Sequence, residues 1–191
     1  IASDGGEDMH ILEHGQGQEK TLLFLPCTAE PVWAFEKTVA RLAQSWHVFQ
    51  VVYDGHEPSY PGDFTSVEQT VDEITDYLRA QGVTCLDAAY GCSLGGSFVG
   101  LLAARGNIRM DYGILGSSDL DQSSKFAAKL QTNLLLSLMF PMLRDGRFKS
   151  PLLQKRVEKQ MRQMGDYGAA FLRILGGARP YLTQQSCKNQ F

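Results

Sequence analysis

With 191 residues and 43% hydrophobic side chains, the chain is long enough for one sizeable core and too short for two full domains. A net charge of −3, with no basic run interleaved with aromatics, argues against nucleic-acid binding. The longest apolar stretch, residues 134–143, falls well short of the ~20 residues that cross a bilayer, so no membrane span is expected, and four cysteines without metal or redox spacing fit a reduced, cytoplasmic protein.

In chain order, residues 9–14 alternate weakly and precede Gly15-Gln16-Gly17, which predicts a strand and a turn. The run 22–25, stopped by Pro26, predicts a buried strand. Glu30-Pro31 is expected to open a helix, with Trp33, Phe35, Val39, Leu42 and Ala43 on its apolar face. Residues 48–53 predict a second buried strand, closed by Asp54-Gly55. Ser66 then begins a helix in which Val67, Val71, Ile74 and Leu78 recur at helical spacing up to Gly82. A third strand over 85–90 leads into a helix over 94–105, and a fourth strand covers 112–115. Strands alternating with helices imply α/β architecture, a mostly parallel sheet with helices on both faces. Sites in such sheets form at strand carboxyl ends, where residues 26–29, 54–56, Ser93 and 117–119 are expected to converge.

After Asp119 the alternation stops, and the rest reads as helices at about 121–143, 150–164 and 166–176. Residues 1–119 carry 6 basic and 17 acidic side chains, and residues 120–191 carry 12 and 4. The basic segment reads either as a partner docked on the acidic one or as a cover over an anionic substrate. The division expected is a core over 1–119 and a helical lid over 120–191. Residues 112–115 lack the charges that protect an edge strand, so further strands, from additional residues or another chain, are expected beside them.

The four cysteines, Cys27, Cys85, Cys92 and Cys187, show neither paired-metal spacing nor a C-x-x-C motif, and no metal or organic cofactor is implied. The chemistry concentrates at Gly91-Cys92-Ser93-Leu94-Gly95. Gly-x-Ser-x-Gly between a strand and a helix is the pattern of a nucleophile elbow. Glycines flank the serine because a side chain there would collide with the neighbouring strand or helix. The amino end of the following helix favours negative charge at the serine. Cys92 is a second possible nucleophile, but the spacing puts Ser93 at the apex.

These pieces together resemble the α/β-hydrolase superfamily over nearly the whole chain: the strand 21–25 with loop 26–33, the strand ending Asp54-Gly55-His56, the elbow, the strand ending 116–119 and the helical lid. The resemblance implies an acyl-enzyme on Ser93, with an ester, thioester or similar small acyl compound as substrate, and the apolar, basic composition of the lid suggests an amphipathic or anionic one. It also implies an oxyanion hole formed by backbone N–H groups of Leu94 and Thr28, with Ala29 next to it. Pro26-Cys27 replaces the family's usual His-Gly at the start of the oxyanion loop. The family's acid and histidine usually follow the lid, and both are expected mainly beyond residue 191. Within the chain, Asp119 is the candidate acid, with a helix cap as its alternative role. His56 is the one histidine at the correct sheet edge, whereas His10, His14 and His47 read as surface residues. Two alternatives stand beside hydrolysis: an inactive hydrolase-like binding domain, and acyl transfer by the same serine. The oligomeric state is not readable.

Overall fold

The computed structural model describes residues 10–118, 133, 136, 137, 139–177 and 179–190. The chain divides into two compact units, one of residues 1–27, 35–53 and 65–120, the other of 28–34, 54–64 and 121–191. Two loops that interrupt the sheet-forming sequence thus belong with the carboxyl-terminal unit.

Among the described residues, the first unit holds five strands: β1 (His10–His14), β2 (Thr21–Leu25), β3 (His47–Val52), β4 (Cys85–Cys92) and β5 (Arg109–Gly116). Their order is β1-β3-β2-β4-β5. Only β1 runs antiparallel, against β3, and the other pairs are parallel. Leu23 sits in register with Phe49 on one side and Ala89 on the other, and all three are fully buried. Strands covered on both faces need such continuous apolar runs, which is why 22–25 and 48–53 carry no alternation.

Three helices connect the strands: α1 (Glu36–Leu42), α2 (Val67–Ala80) and α3 (Leu94–Arg105). Ser66 caps α2, its Oγ accepting the Gln69 N–H at 3.1 Å, and Val71, Ile74 and Leu78 face the core. The first helix departs from expectation. A 3₁₀ turn spans Val32–Phe35 and the α-helix starts only at Glu36, because the Ala34 N–H bonds the Pro31 carbonyl three residues back at 3.0 Å.

Strand β5 is an open edge of the sheet among the described residues. Tyr112, Ile114 and Leu115 are exposed on it. Tyr112 and Ile114 also border an open apolar groove of about 700 Å³ with Phe24, Phe35, Trp46 and Tyr90. The charges of β5, Arg109 and Asp111, lie at its start, and the uncharged, exposed part from Tyr112 to Leu115 is a template for strand pairing. The 191-residue chain by itself is therefore expected to self-associate. Ile114→Lys should shift its light-scattering profile toward monomer; an unchanged profile would mean that association, if any, uses another surface.

In the second unit, residues 139–145 are helical, followed by α4 (Pro151–Arg162), α5 (Gly165–Gly176) and α6 (Gln184–Asn189). Helix α4 falls within the expected 150–164 and α5 starts one residue before the expected 166–176, while most of the expected 121–143 lies outside the described residues. Helix α6 was not anticipated. Its signal is Thr183, whose hydroxyl accepts the Ser186 N–H at 3.0 Å as a cap. Ala29, Leu136, Leu182 and Cys187 form this unit's small core. Arg179 is 3% exposed and donates to the Leu143 carbonyl at 2.9 Å and to the Ile174 carbonyl, tying three segments together.

Candidate active site

Ser93 sits between the last residue of β4 and the first of α3, with φ 50° and ψ −113°. A positive φ on a non-glycine residue is sparsely populated and costs of order 1–3 kcal/mol, so the surroundings must hold it. They do so by close approach. A Cβ on Gly91 would overlap the Gly95 carbonyl, 2.6 Å from the Gly96 nitrogen. A Cβ on Gly95 would overlap the Leu25 carbonyl oxygen and lie 2.8 Å from its carbon and 2.9 Å from the Pro26 oxygen. The two glycines of the motif thus let α3 start directly against the ends of β4 and β2. Gly95→Ala must force these backbones apart and is expected to cost about 2 kcal/mol, read from urea unfolding. A cost under 0.5 kcal/mol would contradict this packing.

The end of β5 completes the elbow. The Ser93 N–H donates to the Gly116 carbonyl at 2.8 Å. Ser117 then turns the chain back at φ 51°, and the Ser118 hydroxyl lies 3.0 Å from the Ser93 carbonyl and 3.3 Å from that of Gly116. On the other side, the buried Tyr53 hydroxyl donates to the Pro26 carbonyl at 3.0 Å, fixing the residue that opens the loop after β2. Of the segments expected to converge, residue 26, Ser93 and residues 117–118 therefore meet within the sheet unit.

Leu94 is the first residue of α3, where N–H groups have no partner inside the helix. Thr28 and Ala29 lie in a turn of the second unit, and Ala29 is buried with φ 58°. Asp119 lies outside the described residues. His56 also belongs to the second unit and is only 2% exposed. Its Nδ1–H donates to the Asp54 carbonyl at 3.0 Å, which leaves Nε2 to accept from the Gln190 amide at 3.3 Å. Burial pushes its pKa down to about 4; the Asp54 carbonyl opposes the shift and the Arg179 charge adds to it.

The remaining histidines sit away from the elbow. His10 and His14 are on β1, three strand spacings from β4, or about 14 Å. His47 opens β3, at the amino ends of the parallel strands, and bonds Glu13 at 2.7 Å. Cys92 closes β4 beside Ser93, and none of the four cysteines is in a disulfide. No group of three potential metal ligands occurs among the described residues. No described helix is long and apolar enough to cross a membrane.

Sequence reasoning missed Ser118 and the surroundings of His56. Ser118 was seen only as part of a converging segment. The consecutive pair Gly95-Gly96 is the trace it leaves, since a Cβ on Gly96 would overlap the Ser118 hydroxyl.

No protein-family model matches the chain, and no curated protein is similar to it in sequence. Solved structures are similar in fold. An α/β hydrolase family protein from Desulfitobacterium hafniense superposes with a TM-score of 0.65 at 18% identity, over 95% of this chain and 70% of its own. An esterase from Thermogutta terrifontis gives 0.67 at 13% identity, over 95% and 66%. The enol-lactonase from Burkholderia xenovorans LB400 gives 0.62 at 15%, over 95% and 69%. The chain thus spans about two thirds of the length of these neighbours.

Proposed function

We propose that this chain, which has the α/β-hydrolase fold, carries the nucleophile of a serine hydrolase acting on small acyl compounds. The observation that carries the reading is the strained backbone of Ser93 at a strand-to-helix turn. Strain of this kind is kept where surrounding structure over-determines it, and such places cluster at reactive centres. Among the neighbours, an esterase and an enol-lactonase support an ester or lactone as substrate class.

In the proposed reaction the Ser93 oxygen attacks the acyl carbon. Its proton passes through a general base to the departing alcohol or thiol as the carbon–heteroatom bond breaks. Water then cleaves the acyl-serine by the reverse proton path. The negative oxygen of each tetrahedral state would be held by the N–H of Leu94, with Thr28 as second donor, and each donor is worth about 10²–10³ in rate. Thr28 and Leu94 both act through backbone groups, so Pro26-Cys27 in place of His-Gly leaves the donor chemistry intact. Asp119 remains the candidate acid.

The base must reach Ser93. His10, His14 and His47 do not stand at that sheet edge, and both ring nitrogens of His56 are engaged. This favours, as a second reading, a hydrolase-like binding domain without turnover. A fluorophosphonate probe separates the two. One phosphonyl adduct mapped to Ser93 supports the hydrolase; no adduct on the folded protein supports the binding domain. Product analysis with a competing alcohol distinguishes acyl transfer from hydrolysis.

A further inference from the structure

We infer that Ser118 is a positioning residue whose hydroxyl aims the Leu94 N–H at the developing oxyanion. The inference rests on the reading of Ser93 as nucleophile. The Ser93 carbonyl and the Leu94 N–H belong to one peptide unit. That unit is planar and trans, so its oxygen and its N–H point in opposite directions. Whatever anchors the oxygen therefore sets the direction of the N–H.

Two donors anchor it. The Gly96 N–H reaches the Ser93 carbonyl at 3.0 Å, a 3₁₀-type bond at the start of the helix. The Ser118 hydroxyl reaches the same oxygen at 3.0 Å from β5's end, outside the helix. A hydroxyl has one proton, and the Gly116 carbonyl is the farther acceptor at 3.3 Å. The proton is therefore assigned to the Ser93 carbonyl. One donor fixes the oxygen's distance but leaves the peptide free to rock; a second donor from another element removes that freedom. The local sequence is shaped to admit this hydroxyl. Position 96 has no Cβ, and one placed there would overlap the Ser118 Oγ. Ser117 holds φ 51°, the turn that brings Ser118 back to the elbow.

A role confined to folding would lower stability without selecting the transition state. The test is made in the full protein with p-nitrophenyl acetate and an alkylboronic acid, which forms a tetrahedral oxyanion mimic on the serine. Ser118→Ala is expected to lower kcat about tenfold, a tilted donor losing less than the 10²–10³ of a deleted one. KM should stay within twofold, and boronate affinity should fall by the same factor as kcat. Ser118→Thr, which keeps the hydroxyl, should stay within about threefold of the unmodified protein on both readouts.

Unchanged kcat, unchanged boronate affinity, or a threonine variant no better than alanine would overturn the inference. Should Ser118→Ala fold poorly, Ser118→Thr and Ser118→Val are compared: they are nearly isosteric and differ in the hydroxyl alone, so equal kcat values would also overturn it. Labelling of Ser93 in the unmodified protein keeps the two claims apart. If Ser93 takes no phosphonyl adduct, both fall. If it is labelled while Ser118→Ala keeps its kcat, only this inference falls.

Discussion

Ser93→Ala is expected to abolish ester turnover, by at least about 10³-fold, with the melting temperature nearly unchanged. Alanine keeps the Cβ, so it keeps the strain at φ 50° while removing the oxygen that would attack. Ser93→Gly makes a sharper companion. It should be just as inactive yet more stable by about 1 kcal/mol, since glycine adopts positive φ without the Cβ penalty. The backbone bond from residue 93 to the Gly116 carbonyl survives in both variants. Activity and stability would then move in opposite directions at one position, the mark of a residue kept for chemistry. Esterase activity unchanged in either variant would remove Ser93 from the mechanism.

What the sequence displayed and what it hid follow from the range of the interactions. Strands β2, β3 and β4 announce themselves because strands covered on both faces read as near-continuous apolar runs, interrupted inside β3 by Gln50 and inside β4 by Asp87. The elbow is equally visible, since its glycines answer to backbone approaches set by one local turn. The start of α1 was misread because Pro31 suits the first turn of a 3₁₀ helix as well as that of an α-helix, and only the Ala34–Pro31 bond distinguishes them. Ser118 and Gln190 were hidden for a different reason. Their partners are 25 and 134 residues away along the chain, and a single serine or glutamine carries no local signal of such a bond. The same holds for α6, whose residues Ser186 and Asn189 bond the backbone of Phe64 at 2.8 Å each.

That stapling encloses His56 and makes acid lability the second large effect. Between pH 6.5 and about 4 the protein is expected to lose roughly 3 kcal/mol of stability through this one side chain. The sign follows from the shift. The unfolded chain takes up the proton near the ordinary value of 6.5, whereas the folded protein resists until about 4, because burial and the Arg179 charge oppose a cationic ring. Over that interval the unfolded state binds more protons, so stability falls as pH falls, and the contribution is complete above 6.5. Protonation would also set an Nε2–H against the amide donor of Gln190, whose Oε1 is buried without a hydrogen-bond partner among the described residues. The depressed carboxyls of Glu13 and Asp87 add their own losses only below their ordinary values of 4.5 and 3.8. The upper part of the window, from about 5 to 6.5, therefore reports on His56. Urea unfolding of the unmodified protein should show a steep pH slope there, and His56→Gln should flatten it even if it lowers stability overall. Equal slopes in the two proteins would mean that His56 is not held neutral by its burial.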